Sequence, residues 1–384
     1  MATWHYGVAL LAFLLGQSGC KNEITPPSSV GSPAWKAVTQ FQSLDFRYLI
    51  NHNGVLYLDA INPAVNSVRD SSGNWYYPGE RGLVYRTSDA ISWEKIKSFA
   101  HDIGPLTFHG DTLYCLASDS IFRFTPNGIW QGAYVTPPPL GNPSADGDMI
   151  FLRDTLYSMQ TFFTNSAQTF RIHTDGTYEE VAGPDGMAHF SGAKFIHAVV
   201  GGREVAYVRP RWGASMFLVF DGQNYTHVEN GLSAGQLIAP TDAMIVINDT
   251  LYAGFGGQQG SGTPGCIKVL TNNQWVSRYD TLLSSHSAYV VNPTLYAQPT
   301  ALAFWNGSLY VATNSQGVEK WTDTIGWIRI SSGLIPGNVA GLLEPDLRAP
   351  IPFLESIGNK LVVAYGKPGY APWGSTGVYT MGIP

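Results

Sequence analysis

Three observations in this 384-residue sequence predict an all-β fold, a seven-bladed β-propeller of four-stranded blades whose ring is closed by an N-terminal strand joining the last blade. A hairpin signature recurs seven times, an aromatic residue recurs at a set place after it, and the last copy lacks a strand that the first part of the chain can supply. Composition agrees. Hydrophobic residues make up 44% of the chain and aromatics 13%, alongside 42 Gly and 24 Pro, so a large core is combined with many tight turns. Only 13% of residues are charged, which disfavours long solvated helices held by i,i+4 ion pairs.

The hairpin copies are Asn53-Gly54-Val55-Leu56-Tyr57, Asp111-Thr112-Leu113-Tyr114, Asp154-Thr155-Leu156-Tyr157, Gly202-Arg203-Glu204-Val205-Ala206-Tyr207, Asp249-Thr250-Leu251-Tyr252, Asn306-Gly307-Ser308-Leu309-Tyr310 and Gly358-Asn359-Lys360-Leu361-Val362. Between Tyr57 and Val362 the mean spacing is about 51 residues, the length of a four-stranded blade. Each hairpin leads to a third strand, a tight turn and a fourth strand opened by an aromatic: Trp93, Trp130, Tyr178, Tyr225, Trp275 and Trp327. Rings recurring at this period are expected to fill the gaps between adjacent blades. The seventh copy stops after its third strand, Gly377 to Met381, because the sequence ends at Pro384. Pro33 to Val38, with Trp35 in the aromatic place, is expected to complete the last blade and so pair an open sheet edge.

Residues 1–19 contain no Asp, Glu, Lys or Arg, and the apolar run Val8 to Leu15 is too short to span a bilayer as a mature helix. The segment reads as a signal peptide, residues 20–33 as a modified Cys followed by a Pro/Ser/Gly linker, and 34–384 as the propeller domain. Gln17-Ser18-Gly19-Cys20 resembles the lipobox of bacterial lipoproteins, and Lys21-Asn22-Glu23 looks like the export signals on surface lipoproteins of Bacteroidetes. These resemblances imply a membrane attachment through lipid on Cys20, at the outer membrane or cell surface of a Gram-negative bacterium. Cys115 and Cys266 fall in different blades and are expected to be free thiols. No Cys/His metal spacing occurs, and Gly256 to Gly260 follows no strand-to-helix junction, so neither a metal nor a nucleotide cofactor is expected. A net charge of −6 without a basic stripe argues against nucleic acid. A monomer is expected.

In a propeller, the loops joining strand two to strand three and one blade to the next emerge on one face, where long loops carry functional information. Here they hold Trp75, Tyr76, Tyr77 and Arg81 within the insertion Ile61 to Gly82, then Arg209, Arg211 and Trp212, and finally Tyr370 and Trp373. Rings of this kind stack on sugars or anchor a protein partner, and Arg recognises carboxylates, so these residues form the expected ligand-binding rim. The alternative is that they fold back as lids.

The turns Thr87-Ser88-Asp89-Ala90-Ile91-Ser92-Trp93 and Thr174-Asp175-Gly176-Thr177-Tyr178 resemble the Asp-box (BNR) repeats of sialidases, sortilin-type receptors and photosystem-assembly-factor-like propellers. Each Asp is expected to cap its own turn. The resemblance implies the fold and leaves two functions open. One is a binding or scaffold module for a glycan or protein partner. The other is a carbohydrate-active enzyme, either a sialidase-like glycosidase or a polysaccharide lyase, acting at the channel mouth where Arg47, Asp102, Asp148, Lys194, His197, Asp242 and Glu355 open the inner strands. Arg209 and Arg211 would begin a sialidase arginine cluster, and His189, Lys194 and His197 are lyase candidates. No catalytic residue is assigned.

Overall fold

Two consecutive residues with positive φ at the tip of a hairpin give a type I′ turn, whose twist matches that of the strands it joins. Asn53-Gly54, Arg153-Asp154, Asn248-Asp249 and Asn306-Gly307 all take this form. The recurring Asn/Asp/Gly signature therefore marks the tips of the hairpins between the first two strands of the blades. In the computed structural model these hairpins lie in seven four-stranded antiparallel sheets. The residues described are 34–382 except 42, 73–74, 118–119, 136–143, 162–166, 184–192, 201, 211–216, 239–242, 257–263, 280, 283–296, 340–341, 349–350 and 366–376.

The innermost strands, in blade order, are Asp45–His52, Ile103–His109, Ser144–Leu152, Ala193–Val200, Met244–Ile247, Pro299–Trp305 and Phe353–Ile357. Each touches the next around the ring, and the seventh touches the first. The fold is thus a closed seven-bladed propeller. Its second strands are apolar almost throughout, as in Thr250–Phe255 and Lys360–Tyr365, because sheets stacked on both faces bury both sets of alternating side chains. Among the outer strands, Tyr178–Val181 is exposed over most of its length, and Glu94–Phe99 is exposed or half-buried up to the buried Phe99.

Among the described residues, seven apolar clusters form the core, one at each junction between adjacent blades. The recurring aromatics serve these junctions. Trp93, Trp275 and Trp327 are buried in them, while Trp130 and Tyr225 pack against their edges. Tyr178 departs from the expectation. It stays 41% exposed and packs edge-on against Phe170 of its own blade.

Closure occurs as the sequence predicts. Lys36–Val38 pairs antiparallel with Gly377–Gly382, Lys36 facing Thr380 and Val38 facing Val378. Trp35 is buried between the sixth and seventh blades, and its Nε1 donates to the Ile330 carbonyl at 2.6 Å. Cys115 and Cys266 are both free thiols, the first fully buried.

Candidate functional site

The insertion Ile61 to Gly82 leaves the first blade between its second and third strands and folds into a short ribbon. Val68–Arg69 pairs with Trp75–Tyr76, setting Val68 opposite Tyr76 and Arg69 opposite Trp75. Residues directly opposite share one face of a ribbon. Val68 and Tyr76 are both exposed, so the ribbon shows solvent a small apolar face. Its base is pinned by Arg81. The Arg81 Nε donates to Asp102 Oδ1 at 2.6 Å, and Nη1 donates to the carbonyls of Asn62 and Val65 at 2.9 and 3.0 Å. The guanidinium also lies 4.9 Å from the Tyr77 ring centroid. Arg81 and Tyr77 thus hold the insertion to the junction of the first two blades, and Tyr76 stands exposed on the ribbon they fix.

Of the other rim residues, Arg209 sits in the second strand of the fourth blade, opposite Lys194. Arg211, Trp212, Tyr370 and Trp373 lie outside the described residues, as does Cys20.

The inner-strand charges have separate fates. Asp148 is buried. One of its oxygens accepts the Met149 N–H at 2.9 Å, and the other accepts the Phe195 N–H of the fourth blade at 2.7 Å, so it staples two inner strands. Asp59, one strand out in the first blade, is fully buried and accepts the N–H groups of Arg47, at 3.0 Å, and Tyr48. Burial holds its carboxyl well above the ordinary range, and its second oxygen is buried without a hydrogen-bond partner. Asp102 is the partner of Arg81.

Glu355 is half-buried on the seventh inner strand. Desolvation pushes its carboxyl up to about 7, against the lowering pull of the Lys194 charge from the fourth blade. His197 is three residues along the same strand as Lys194, and an odd separation on a strand sends two side chains to opposite faces. Lys194 and His197 therefore do not converge. His189 and Asp242 lie outside the described residues.

The opposite face, at the hairpin tips, carries a pattern that sequence reasoning passed over. His52 ends the first inner strand, stacks on Phe108 of the second blade with ring centroids 3.8 Å apart, and bonds Asp111 in that blade's hairpin at 3.2 Å. The next step repeats it. His109 stacks on Phe151 of the third blade at 4.6 Å and bonds Asp154 at 2.7 Å. The signal was present as a His just before one hairpin tip and an Asp within the next, but it needed blades to be aligned with their neighbours. Beyond Asp154, the row continues to Glu204 and His197 in the fourth blade, 3.7 Å apart. A cavity of about 230 Å³ opens there, lined by residues that include Phe108, His109, Phe151, Asp154, His197 and Glu204. Among the described residues, no group of three or more His, Cys, Asp or Glu is placed to hold a metal ion.

No family model matches the chain, and no curated protein matches it in sequence. Solved structures are similar in fold. A catalytically inactive virginiamycin B lyase from Staphylococcus aureus with quinupristin aligns at TM-score 0.53 and 13% identity, over 91% of this chain and 98% of its own. YCF48 bound to D1 peptide aligns at TM-score 0.53 and 8% identity, over 93% and 96%. The Pan2 WD40 domain from Neurospora crassa aligns at 0.51 and 12%, over 93% and 98%. Identities this low establish the seven-bladed propeller and nothing about chemistry.

Proposed function

We propose that this chain is a non-catalytic binding or scaffold propeller, tethered to the outer membrane or cell surface through lipid on Cys20, that presents its insertion-bearing face to a protein or glycan partner. The observation that carries this reading is the division of labour on that face. Arg81, Asp102, Asp59 and Asp148 are engaged in holding backbone and blades together, while Tyr76 and Val68 stand exposed on a ribbon fixed at its base. A rigid mount carrying an exposed ring is how binding surfaces acquire contact area at small entropic cost. The similar propeller that holds a D1 peptide supports a polypeptide as one class of partner. The aromatic rim and the Asp-box resemblance support a glycan as the other.

The test is a glycan array together with a peptide-display selection on the full chain, repeated with Tyr76→Ala and Trp75→Ala. Loss of about tenfold or more in affinity for whatever is captured is expected. Capture unchanged by both substitutions would remove the ribbon from the interface. Tethering is read separately, as incorporation of a labelled acyl chain that Cys20→Ala abolishes.

A carbohydrate-active enzyme is the second reading, and one observation favours it. Glu355 has a carboxyl pushed to about 7, in the range of a general acid, with the Lys194 charge acting on it. Hydrolysis or elimination on a polysaccharide panel that disappears in Glu355→Gln would establish it, and its absence across the panel favours the binding module.

A further inference from the structure

The cavity at the hairpin tips of the second, third and fourth blades lies away from the insertion-bearing face and is not used by the reading above. At about 230 Å³ it falls below the roughly 300 Å³ at which ordinary small-molecule pockets begin, so its natural occupant is the size of one side chain. Its lining holds two carboxylates and no Lys or Arg. Each carboxylate has one oxygen engaged. Asp154 Oδ1 meets His109 Nε2 at 2.7 Å, and Glu204 Oε2 accepts the Arg153 N–H at 2.7 Å. Among the described residues, the other oxygen of each accepts no hydrogen bond from the protein.

The walls are flat rings. Phe151 is buried beneath the stacked His109, and the His109 and His197 side chains are 40% and 48% exposed. Two carboxylates, each with an open oxygen and with the Asp154 side chain 89% and the Glu204 side chain 42% exposed, line the same opening as these planar faces and match a planar cation with several N–H donors that approaches from solvent. A guanidinium offers such donors in a rigid fork and stacks on rings, whereas an ammonium is a compact, strongly hydrated charge that gains little from a ring wall. We propose that this cavity is a docking site for the arginine side chain of a partner polypeptide, clasped by Asp154 and Glu204 against the His109 and His197 rings.

The test uses the full chain and three small probes: N-acetyl-arginine amide, its neutral isostere N-acetyl-citrulline amide, and N-acetyl-lysine amide. Amide chemical shifts are followed by NMR. The arginine probe is expected to bind with a dissociation constant of about 1 mM, moving the amides of Phe108, His109, Asp154, His197 and Glu204 and leaving those of the Val68–Tyr76 ribbon unmoved. The citrulline probe should bind at least about tenfold more weakly.

Asp154→Asn and Glu204→Gln should each weaken the arginine probe by about tenfold. Both substitutions preserve the fold's local needs. Asn tolerates the positive φ of 63° at position 154, and Gln keeps an oxygen for the Arg153 N–H. Equal binding of arginine and citrulline probes, equal binding of the lysine probe, or indifference to both substitutions would overturn the proposal. Because the ribbon lies on the other face, failure here leaves the Tyr76 experiment standing, and failure there leaves this one standing.

Discussion

Single side chains set the turns that make the blades possible. Asp89 Oδ1 accepts the N–H groups of Ile91 and Ser92, both at 2.7 Å, and the Thr87 hydroxyl at 2.9 Å, which holds its carboxyl down at about 2. Asp175 repeats the device with Thr177. The sequence was legible here, since an Asp two or three residues before the N–H groups it caps is a local pattern. Asp89→Ala should lower stability by about 1–2 kcal/mol in denaturant unfolding. Because the folded-state carboxyl is depressed, this stabilisation is complete above the ordinary Asp range and fades as pH falls toward about 2.

Glu355 works in the opposite sense. Its carboxyl is raised from 4.5 to about 7, so the folded state binds the proton more tightly than the unfolded chain. That contribution is full below pH 4.5 and is lost as pH rises through about 7. Melting temperature should therefore decline less over that interval in Glu355→Gln than in the unaltered protein.

At the scale of elements, two of the blade junctions share a latch. Trp275 Nε1 donates to the Val228 carbonyl at 2.7 Å and its backbone N–H to the Asn230 carbonyl, also at 2.7 Å. Trp35 does the same across the closing junction, with Nε1 to Ile330 and its N–H to Ser332 at 2.9 Å. Beside each latch stands a glycine, Gly231 or Gly333, with φ of 87°. A Cβ there would lie 2.2 Å from the Trp275 carbonyl oxygen or 2.4 Å from that of Trp35. Both the left-handed backbone and the close approach require glycine.

Gly333→Ala should accordingly cost at least about 2 kcal/mol. Trp35→Phe should cost about 1 kcal/mol by deleting one hydrogen bond, and Trp35→Ala about 3–5 kcal/mol by emptying the junction. Calorimetric melting of the three variants checks the order. The aromatic period was readable in the sequence; the glycines beside it were not, because Gly231 is constrained by Trp275, about 44 positions away in the fifth blade, and Gly333 by Trp35 at the other end of the sequence. Tyr178 shows the converse failure. Period alone placed it in a junction, but Phe170, Ile172 and Tyr157 already occupy the faces of that blade, and the ring turns outward.

On the scale of the whole molecule, closure binds the ends of the sequence together, so stability and cooperativity depend on a three-residue strand. Removing residues 34–41 should expose the Gly377–Gly382 edge and remove Trp35 and Phe41 from two junctions at once, the sixth-to-seventh and the seventh-to-first. Loss of a single cooperative unfolding transition by calorimetry, with concentration-dependent association through the bared edge, is the expected outcome. The two faces of the ring then divide. One carries the ribbon with Tyr76, the other the row of His, Phe and Asp that ends in the cavity at Glu204.

The linear order of residues determined the number of blades, the identity of the closing strand and the turn chemistry, because each depends on spacings of a few residues repeated at a regular period. Which charged residues remain for a partner was decided only by the folded ring. Arg81 meets Asp102 across 21 residues, Asp148 meets Phe195 across 47, and His109 meets Asp154 across 45. Such pairs form when curvature brings neighbouring blades into register, and no local pattern records which side chains that register joins.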